Sequence, residues 1–198
     1  MRYFIKILFP MFCLCLLSLY FLIRDADYLW LILTFFVWVL VSGLGIGCGF
    51  HRIYSHRCAT NVQPWLDNIL LFLGTLALQG SSITWVAVHR GYHHPHSDRY
   101  GDLHSPTHGI FHSILGWYFT TDPRTINNIY AQDLVRKRNH VFFHRHYVAI
   151  LWLLGISLAL IDTKVFLYGF CLPATISFFQ DNLVNWFCHD PRFGGYAL

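Results

Sequence analysis

The chain has 198 residues, of which 55% are hydrophobic, 18% aromatic and 12% charged. Soluble domains carry about 25% charged residues, so this composition excludes an ordinary water-facing domain and favours a protein embedded in a lipid bilayer. The net charge of +4 at pH 7 is modest, and nucleic acid is not an expected partner. All ten acidic residues are aspartates, which excludes the soluble di-iron bundles that bind metal through Glu-x-x-His motifs.

Four apolar stretches are the longest regular features of the chain. They lie at residues 3–23, 28–50, 145–161 and 165–187. A transmembrane helix needs about 20 apolar residues, so the third stretch is short for a span. Polar turns at residues 24–27 and 162–164 join the stretches into two pairs. We therefore predict an all-α integral membrane protein, a single domain with four transmembrane helices in two helical hairpins.

The polar segment between the two hairpins, residues 51–146, carries nine of the 14 lysines and arginines. Cytoplasmic loops of membrane proteins are enriched in these residues, so we place this segment and both termini on the cytoplasmic side. The apolar stretch within it, residues 65–78, is too short for a span and contains Gly74. Such a stretch favours an interfacial or re-entrant helix over a fifth span.

Thirteen histidines dominate the composition, and all of them fall on the predicted cytoplasmic side. Two follow the second predicted span in HRIYSH, three stand together in HRGYHH, and one follows the fourth span in NWFCH. These six are His51, His56, His89, His93, His94 and His189. If both hairpins return to one face, the six converge in a cytoplasmic, histidine-rich cap. Five others are interpreted as polar caps or supporting residues: His96, His108, His140, His144 and His146.

Helical geometry divides these histidines further. Successive α-helical residues are rotated by about 100°, so His51 and His56 would stand about 140° apart and could not easily bind one ion from a regular helix. His89 and His93, four residues apart, would share a face, whereas His94 would point elsewhere. Such neighbours favour two metal ions over one. Imidazole suits Zn, Cu, Fe and Ni, and six histidines exceed the four ligands of a structural zinc site.

Four segments present further motifs in a fixed order. HRIYSHRCA contains His-x4-His followed by Arg, and WVAVHRGYHHPHSDRYGDLHSP contains His-x3-His-His with a trailing Asp-x-His-Ser-Pro. GIFHSILGWYF then adds His and Gly-Trp, and NWFCHDPRFGGY adds Asn-x3-His. In order and spacing, these segments resemble the membrane-bound fatty acid desaturases, specifically the acyl-CoA (delta-nine) type. The resemblance extends over nearly the whole chain.

The resemblance implies a metal centre of two Fe ions and a set of residues around it. The implied ligands are His51, His56, His89, His93, His94 and His189. Asn185, which stands four residues before His189, is implied to approach one metal through water. The implied reaction is an O2-dependent removal of two hydrogens from an acyl chain, in fatty acid biosynthesis. Its two electrons would come from a small haem or iron–sulfur carrier.

Substrate contacts follow from the same resemblance and from charge. Trp117 and Tyr118 match a region near the acyl channel of the family. The run Arg136, Lys137 and Arg138 is interpreted as binding a lipid headgroup or the phosphate of an acyl carrier. The expected substrate is therefore a fatty acyl chain carried by CoA or by a membrane lipid.

Two features depart from the family pattern. The family's second box is His-x2-His-His, whereas the longer spacing of this chain occurs in the wider superfamily, which includes hydroxylases. The family's third His-x2-His-His box has no counterpart in the 198 residues, so we expect a C-terminally truncated domain with impaired activity. Three hypotheses remain open: an acyl desaturase, a lipid hydroxylase or monooxygenase, and an inactive membrane protein or a subunit completed by another chain.

Overall fold

The computed structural model describes residues 4–97, 99–121 and 125–189, apart from the side chain of Phe4, and these residues form helices and loops without a strand. We number the longer α-helices in chain order. They are α1 (Phe9–Asp25), α2 (Trp30–Trp38), α3 (Pro64–Leu76), α4 (Ser82–Val88), α5 (Arg138–Arg145), α6 (Tyr147–Ile161) and α7 (Leu172–Phe187). The all-α prediction is confirmed for this part of the chain.

Several of these helices continue into π-helical segments, in which each backbone N–H bonds to the carbonyl five residues earlier. Those segments are Phe4–Leu8 before α1, Val39–Ser55 after α2, His89–His93 after α4, His112–Gly116, and Leu167–Cys171 before α7. Two of them contain predicted metal ligands. Because π-turns are rare and often occur at functional sites, these two segments support a functional role for their histidines.

Two continuous helices in the described residues are long and apolar enough to cross a membrane, Ile5–Asp25 and Trp30–Ser55. A third candidate is the pair α5 and α6, which passes the same test but bends by 69°. The fourth predicted span is helical from Thr163 to Phe187 but is not among these candidates. The polar triplet Gln180-Asp181-Asn182 interrupts its apolar sequence. Four spans thus stay a prediction.

Apolar side chains on the outer faces of these helices point away from the protein. Leu16 in α1, Leu29 before α2 and Leu160 in α6 are 68%, 77% and 83% exposed. Exposed apolar surface on this scale marks a membrane or partner contact. Within the bundle, Thr34 of α2 donates a hydrogen bond to the carbonyl of Tyr168 at 2.8 Å, which ties the two predicted hairpins together.

The π-helical segment Val39–Ser55 packs closely against α3. A Cβ atom on Gly45 would lie 2.5 Å from the backbone nitrogen of Gly74, and one on Gly74 would lie 2.3 Å from the ring of Phe50. Glycine at both positions lets the two backbones approach. α3 itself begins at Pro64, whose fixed φ suits the first helical position, and its 13 residues match the short helix that the sequence predicts.

Candidate metal centre

The first histidine pair stands at the end of the π-helical segment Val39–Ser55. The N–H of His56 bonds to the carbonyl of His51 at 3.1 Å, so these two residues are one π-turn apart. Their Nε2 atoms lie 3.0 Å apart. The angle of about 140° expected for a regular α-helix does not apply here, because the backbone between these residues is a π-turn.

We call HRIYSH the first histidine box and HRGYHH the second. The second box repeats the arrangement of the first. α4 is capped by Ser81, whose hydroxyl accepts the N–H of Thr84, and it continues into the π-helical segment His89–His93. The Nε2 atoms of His89 and His94 lie 3.0 Å apart, and those of His89 and His56 lie 3.4 Å apart. His89 therefore occupies the centre of a four-histidine group that draws two members from each box.

The donor atoms of this group fit a metal ion. Two imidazole nitrogens bound to one ion at about 2.1 Å each stand about 3.0–3.4 Å apart, depending on the bond angle. The Nε2 separations of 3.0 Å and 3.4 Å fall in that range. His51, His56 and His89 also offer ligand atoms that all lie within 4.8 Å of one another.

A second group of ionisable side chains lies next to the first. His93, Asp102 and His104 are all buried and offer ligand atoms within 4.8 Å of one another. The Nδ1 of His93 lies 2.9 Å from a carboxylate oxygen of Asp102. A carboxylate in this position holds the Nδ1 proton and directs Nε2 to a metal or substrate. The ring of His189 lies 4.9 Å from that of His93, between centroids.

Electrostatics favour the neutral ring at three of these histidines, His89, His94 and His104. Burial, followed by the neighbouring imidazoles, holds the pKa of His89 far below its usual range. Burial also lowers the pKa of His94, and neighbouring histidines act in the same direction. For His104, burial lowers the pKa to about 4, although the carboxylate of Asp102 opposes the shift. Neutral imidazole is the form that binds metals.

Both histidine groups open onto one cavity of about 770 Å³. All six predicted ligands line it, together with Asn185, Trp117 and Tyr118. Away from the histidines, the wall formed by the π-helical segment Val39–Ser55 is largely apolar, whereas α7 contributes mainly polar side chains, among them Gln180, Asp181 and Asn182. The structure thus brings together nine of the twelve residues that the sequence analysis singled out.

The remaining three residues lie elsewhere. The side chains of Arg136, Lys137 and Arg138 are exposed between the short helix Gln132–Val135 and the start of α5, and none of them lines the cavity. If these three residues contact a lipid headgroup or an acyl carrier, the contact lies outside the cavity.

Sequence reasoning did not select several residues that the structure places near the site. His104 and Asp102 stand against His93, and the Asp-x-His spacing was their only signal in the sequence. Gln79 and Asp181 line the cavity, where the Gln79 amide donates to the Asp181 carboxylate at 2.6 Å. They are 102 residues apart, and nothing in the local sequence of either residue indicates the pairing.

Below the site, a buried network supports the first box. The hydroxyl of Tyr54 donates to Asp67 at 2.7 Å, and Asn139 donates to the same carboxylate at 2.8 Å. His140, which is fully buried, lies between Asp67 at 3.5 Å and the hydroxyl of Ser82 at 2.9 Å. His140 is therefore an internal residue of this network and does not cap a helix at the membrane surface.

Fold and site together define a class of protein: a helical membrane protein with clustered histidines at one end of an apolar cavity. No protein-family profile matches the chain. Curated proteins do match it. It is 35% identical to the sn-1 stearoyl-lipid 9-desaturase of Synechocystis over 127 residues, which are 64% of this chain and 39% of that protein.

Two further relatives extend the match. The chain is 33% identical to the Delta-9 acyl-lipid desaturase 1 of Arabidopsis thaliana over 153 residues, 75% of this chain and 50% of that protein. It is 30% identical to an acyl-CoA 5-desaturase of Anemone leveillei over 174 residues, 85% of this chain and 52% of that protein. The chain therefore belongs to the fatty acid desaturases, a family of oxidoreductases. It spans 39% to 52% of the length of these three relatives.

Proposed function

We propose that the protein is a membrane-bound fatty acyl desaturase that introduces a double bond into an acyl chain at a di-iron centre, with O2 as oxidant. The observation that carries this proposal is the convergence of six histidines from three separate segments at one end of an apolar cavity. A soluble metal-storage protein or a structural zinc site would not need a cavity of about 770 Å³ beside its ligands.

The two histidine groups suggest how the ligands divide. His51, His56 and His89, whose ligand atoms all lie within 4.8 Å of one another, would hold one Fe ion, with the Nε2 of His94 beside that of His89 at 3.0 Å. His93 and His189 would contribute to the second, with Asn185 approaching through water. When bound, the iron pair supplies the oxidising power to remove hydrogens from unactivated methylenes, for which no amino acid side chain has the chemistry. Two more electrons would come from a small haem or iron–sulfur carrier at the cytoplasmic face.

The residues of this chain would bind and orient the acyl chain. The apolar part of the cavity wall would accommodate the methylenes. Trp85 packs flat on the imidazole of His89, with 4.8 Å between ring centroids, and Trp117 lies 5.6 Å from the ring of His104. These indoles would hold the chain against the metal centre. The exposed run Arg136–Arg138 would bind the phosphate of CoA or of a lipid headgroup from outside.

The family relationship leaves the carrier of the acyl group open, because the relatives named above act on lipid-linked and on CoA-linked chains. We also propose four transmembrane spans, with the histidines and both termini in the cytoplasm. The four-span arrangement rests on the apolar helices Ile5–Asp25 and Trp30–Ser55, on the bent pair α5–α6, and on the helix from Thr163 to Phe187.

Product analysis tests the proposal. The gene product containing this chain is expressed in cells fed with deuterium-labelled stearate, and the labelled lipids are analysed by mass spectrometry. A desaturase gives an alkene that lacks two hydrogens, which His89→Ala abolishes and His146→Ala, at an exposed ring outside the cavity, preserves. An alcohol that gains an oxygen atom would instead identify the lipid hydroxylase suggested by the His-x3-His-His spacing. Iron-loaded protein that gives neither product would contradict both.

A further inference from the structure

The two histidine boxes are joined by one carboxylate that lies outside the ligand set. One histidine of each box is directly followed by an arginine: Arg57 follows His56, and Arg90 follows His89. Both arginines bind Asp133. The Nε of Arg57 donates to it at 3.2 Å, and Arg90 donates to its two oxygens at 2.8 Å and 3.0 Å. Asp133 belongs to the short helix Gln132–Val135, far from both boxes in sequence.

Arg90 connects the second box directly to the backbone of the first. Its guanidinium donates to the carbonyl of Ser55 at 2.9 Å and also to the carbonyl of Tyr54. These are the last two residues of the π-helical segment that ends just before His56. A cation at a helix C-terminus satisfies carbonyls that have no partner within the helix. The position of His56 relative to His89 therefore depends on the orientation of this one guanidinium.

Asp133 fixes that orientation. The paired oxygens of a carboxylate match the planar fork of arginine, and such bidentate pairs hold both partners in one geometry. Arg90 is largely buried, with 13% of its side chain exposed, whereas the Asp133 side chain is 37% exposed. Hydrogen bonds from Arg90 lower the pKa of Asp133 although burial opposes the shift, so the carboxylate stays charged at neutral pH.

We propose that Asp133 is a positioning residue of the metal centre, which sets the separation between the two histidine boxes by holding Arg57 and Arg90 together. This inference rests on the proposed function, because it assigns Asp133 a role only if the histidines bind metal. Asp133 itself does not line the cavity. Its effect on the centre would pass through Arg90 and the carbonyls of the first box.

The test is a Co2+ titration of the purified 198-residue chain in detergent, followed by the visible absorption bands of the bound ion. Partners beyond the ligands change metal affinity by about 10–100-fold, so we expect Asp133→Asn to weaken Co2+ binding about tenfold and to shift the bands. Asp133→Glu, which keeps the carboxylate, should recover part of the affinity. The matched control is Asp27→Asn, which removes a carboxylate paired with Lys164 at 2.5 Å, between the two predicted hairpins.

The outcomes separate this inference from the proposed function. A parent chain that binds no Co2+ at these histidines overturns the proposed function, and the inference with it. If the parent binds Co2+ and Asp133→Asn binds it with the same affinity and the same absorption bands, the inference alone is overturned. This holds even if the variant unfolds at a lower temperature. Should Asp133→Asn not fold, Arg90→Lys decides, because lysine keeps the positive charge but lacks the planar fork that pairs with both oxygens of Asp133. Affinity reduced about threefold supports the inference, and unchanged affinity overturns it.

Discussion

The Nε2 atoms of His89 and His94 lie 3.0 Å apart, the same separation as those of His51 and His56. In both pairs the histidines are five residues apart and belong to a π-turn. An α-helix would rotate such residues away from each other, whereas the i to i+5 bonding of a π-turn stacks them on one face. The backbone conformation therefore decides which histidines can share an ion.

His89 should be the most sensitive ligand, since its ring contacts members of both boxes. We expect His89→Ala to reduce Co2+ affinity by at least about 100-fold, because changes in partners beyond the ligands already cost 10–100-fold. Isothermal titration of the detergent-solubilised chain measures this loss. His146→Ala, at an exposed ring outside the cavity, is the control and should bind normally. Equal affinities for the two variants would remove His89 from the ligand set.

The 198-residue chain purified alone should contain fewer than two Fe ions per molecule. His93-His94 is the only His-His pair in these residues, and six histidines leave two ions with few protein ligands each. The remaining iron should be removed readily by a chelator. Metal analysis by mass spectrometry, before and after dialysis against the chelator, measures both. Full occupancy with two tightly held ions would show that the six histidines suffice.

The contact between the π-helical segment Val39–Ser55 and α3 should tolerate no side chain at Gly45. A Cβ there would lie 2.5 Å from the nitrogen of Gly74, so Gly45→Ala forces two backbones apart. Overpacking of this kind costs about 1–3 kcal/mol. Thermal unfolding in detergent measures the effect. Gly43→Ala, where a Cβ meets no atom within 4 Å, is the matched control in the same segment. Similar melting temperatures for the two variants would contradict the close packing.

Gly43 also lines the cavity, which offers a way to reduce its volume. Because a Cβ at Gly43 meets nothing within 4 Å, we expect Gly43→Leu to fold and to fill part of the cavity. Displacement of a fluorescent fatty acid measures binding. Long saturated acyl chains should bind at least about threefold more weakly than to the parent, with shorter chains less affected. If Gly43→Leu binds acyl chains of every length as tightly as the parent does, the acyl chain does not bind in this part of the cavity.

Acid should weaken the network under the first box. Burial would raise the pKa of Asp67, but the surrounding donors, His140 first among them, lower it well below its usual range. A carboxylate with a depressed pKa stabilises the fold above its ordinary pKa of about 4 and loses that effect as pH falls toward the folded value. The difference in melting temperature between the parent and Asp67→Asn should therefore be largest above about pH 5 and shrink toward pH 3. A difference that is constant with pH would count against an ionised Asp67.

The helical class and the first two apolar helices followed from the sequence because long apolar runs carry their own signal. The region after Thr163 was harder to interpret. Its second half carries Gln180 and Asp181, which line the cavity and make the helix less apolar than a typical span. Hydropathy averages over all faces of a helix, so it cannot distinguish a cavity-facing polar residue from the end of a membrane segment.

The identity of the clustered histidines was also readable from the sequence, but their pairing was not. Angles calculated for an α-helix separate His51 from His56, and only the backbone hydrogen bond between these residues reveals the π-turn. Asp133 gave no signal at all, because its partners Arg57 and Arg90 are 76 and 43 residues away. Contacts over such distances depend on tertiary packing and leave no local pattern.

The two π-turns carry the same short sequence pattern. HRIYSH and HRGYHH both read His-Arg-x-Tyr-x-His, and in each the outer histidines form the close pair. The extra residue that separates the second box from the His-x2-His-His pattern is therefore the residue that makes it equivalent to the first. A hexapeptide module used twice, once at the end of each helix, would build a four-imidazole group with approximate twofold repetition. Deleting one residue from either module would break that equivalence.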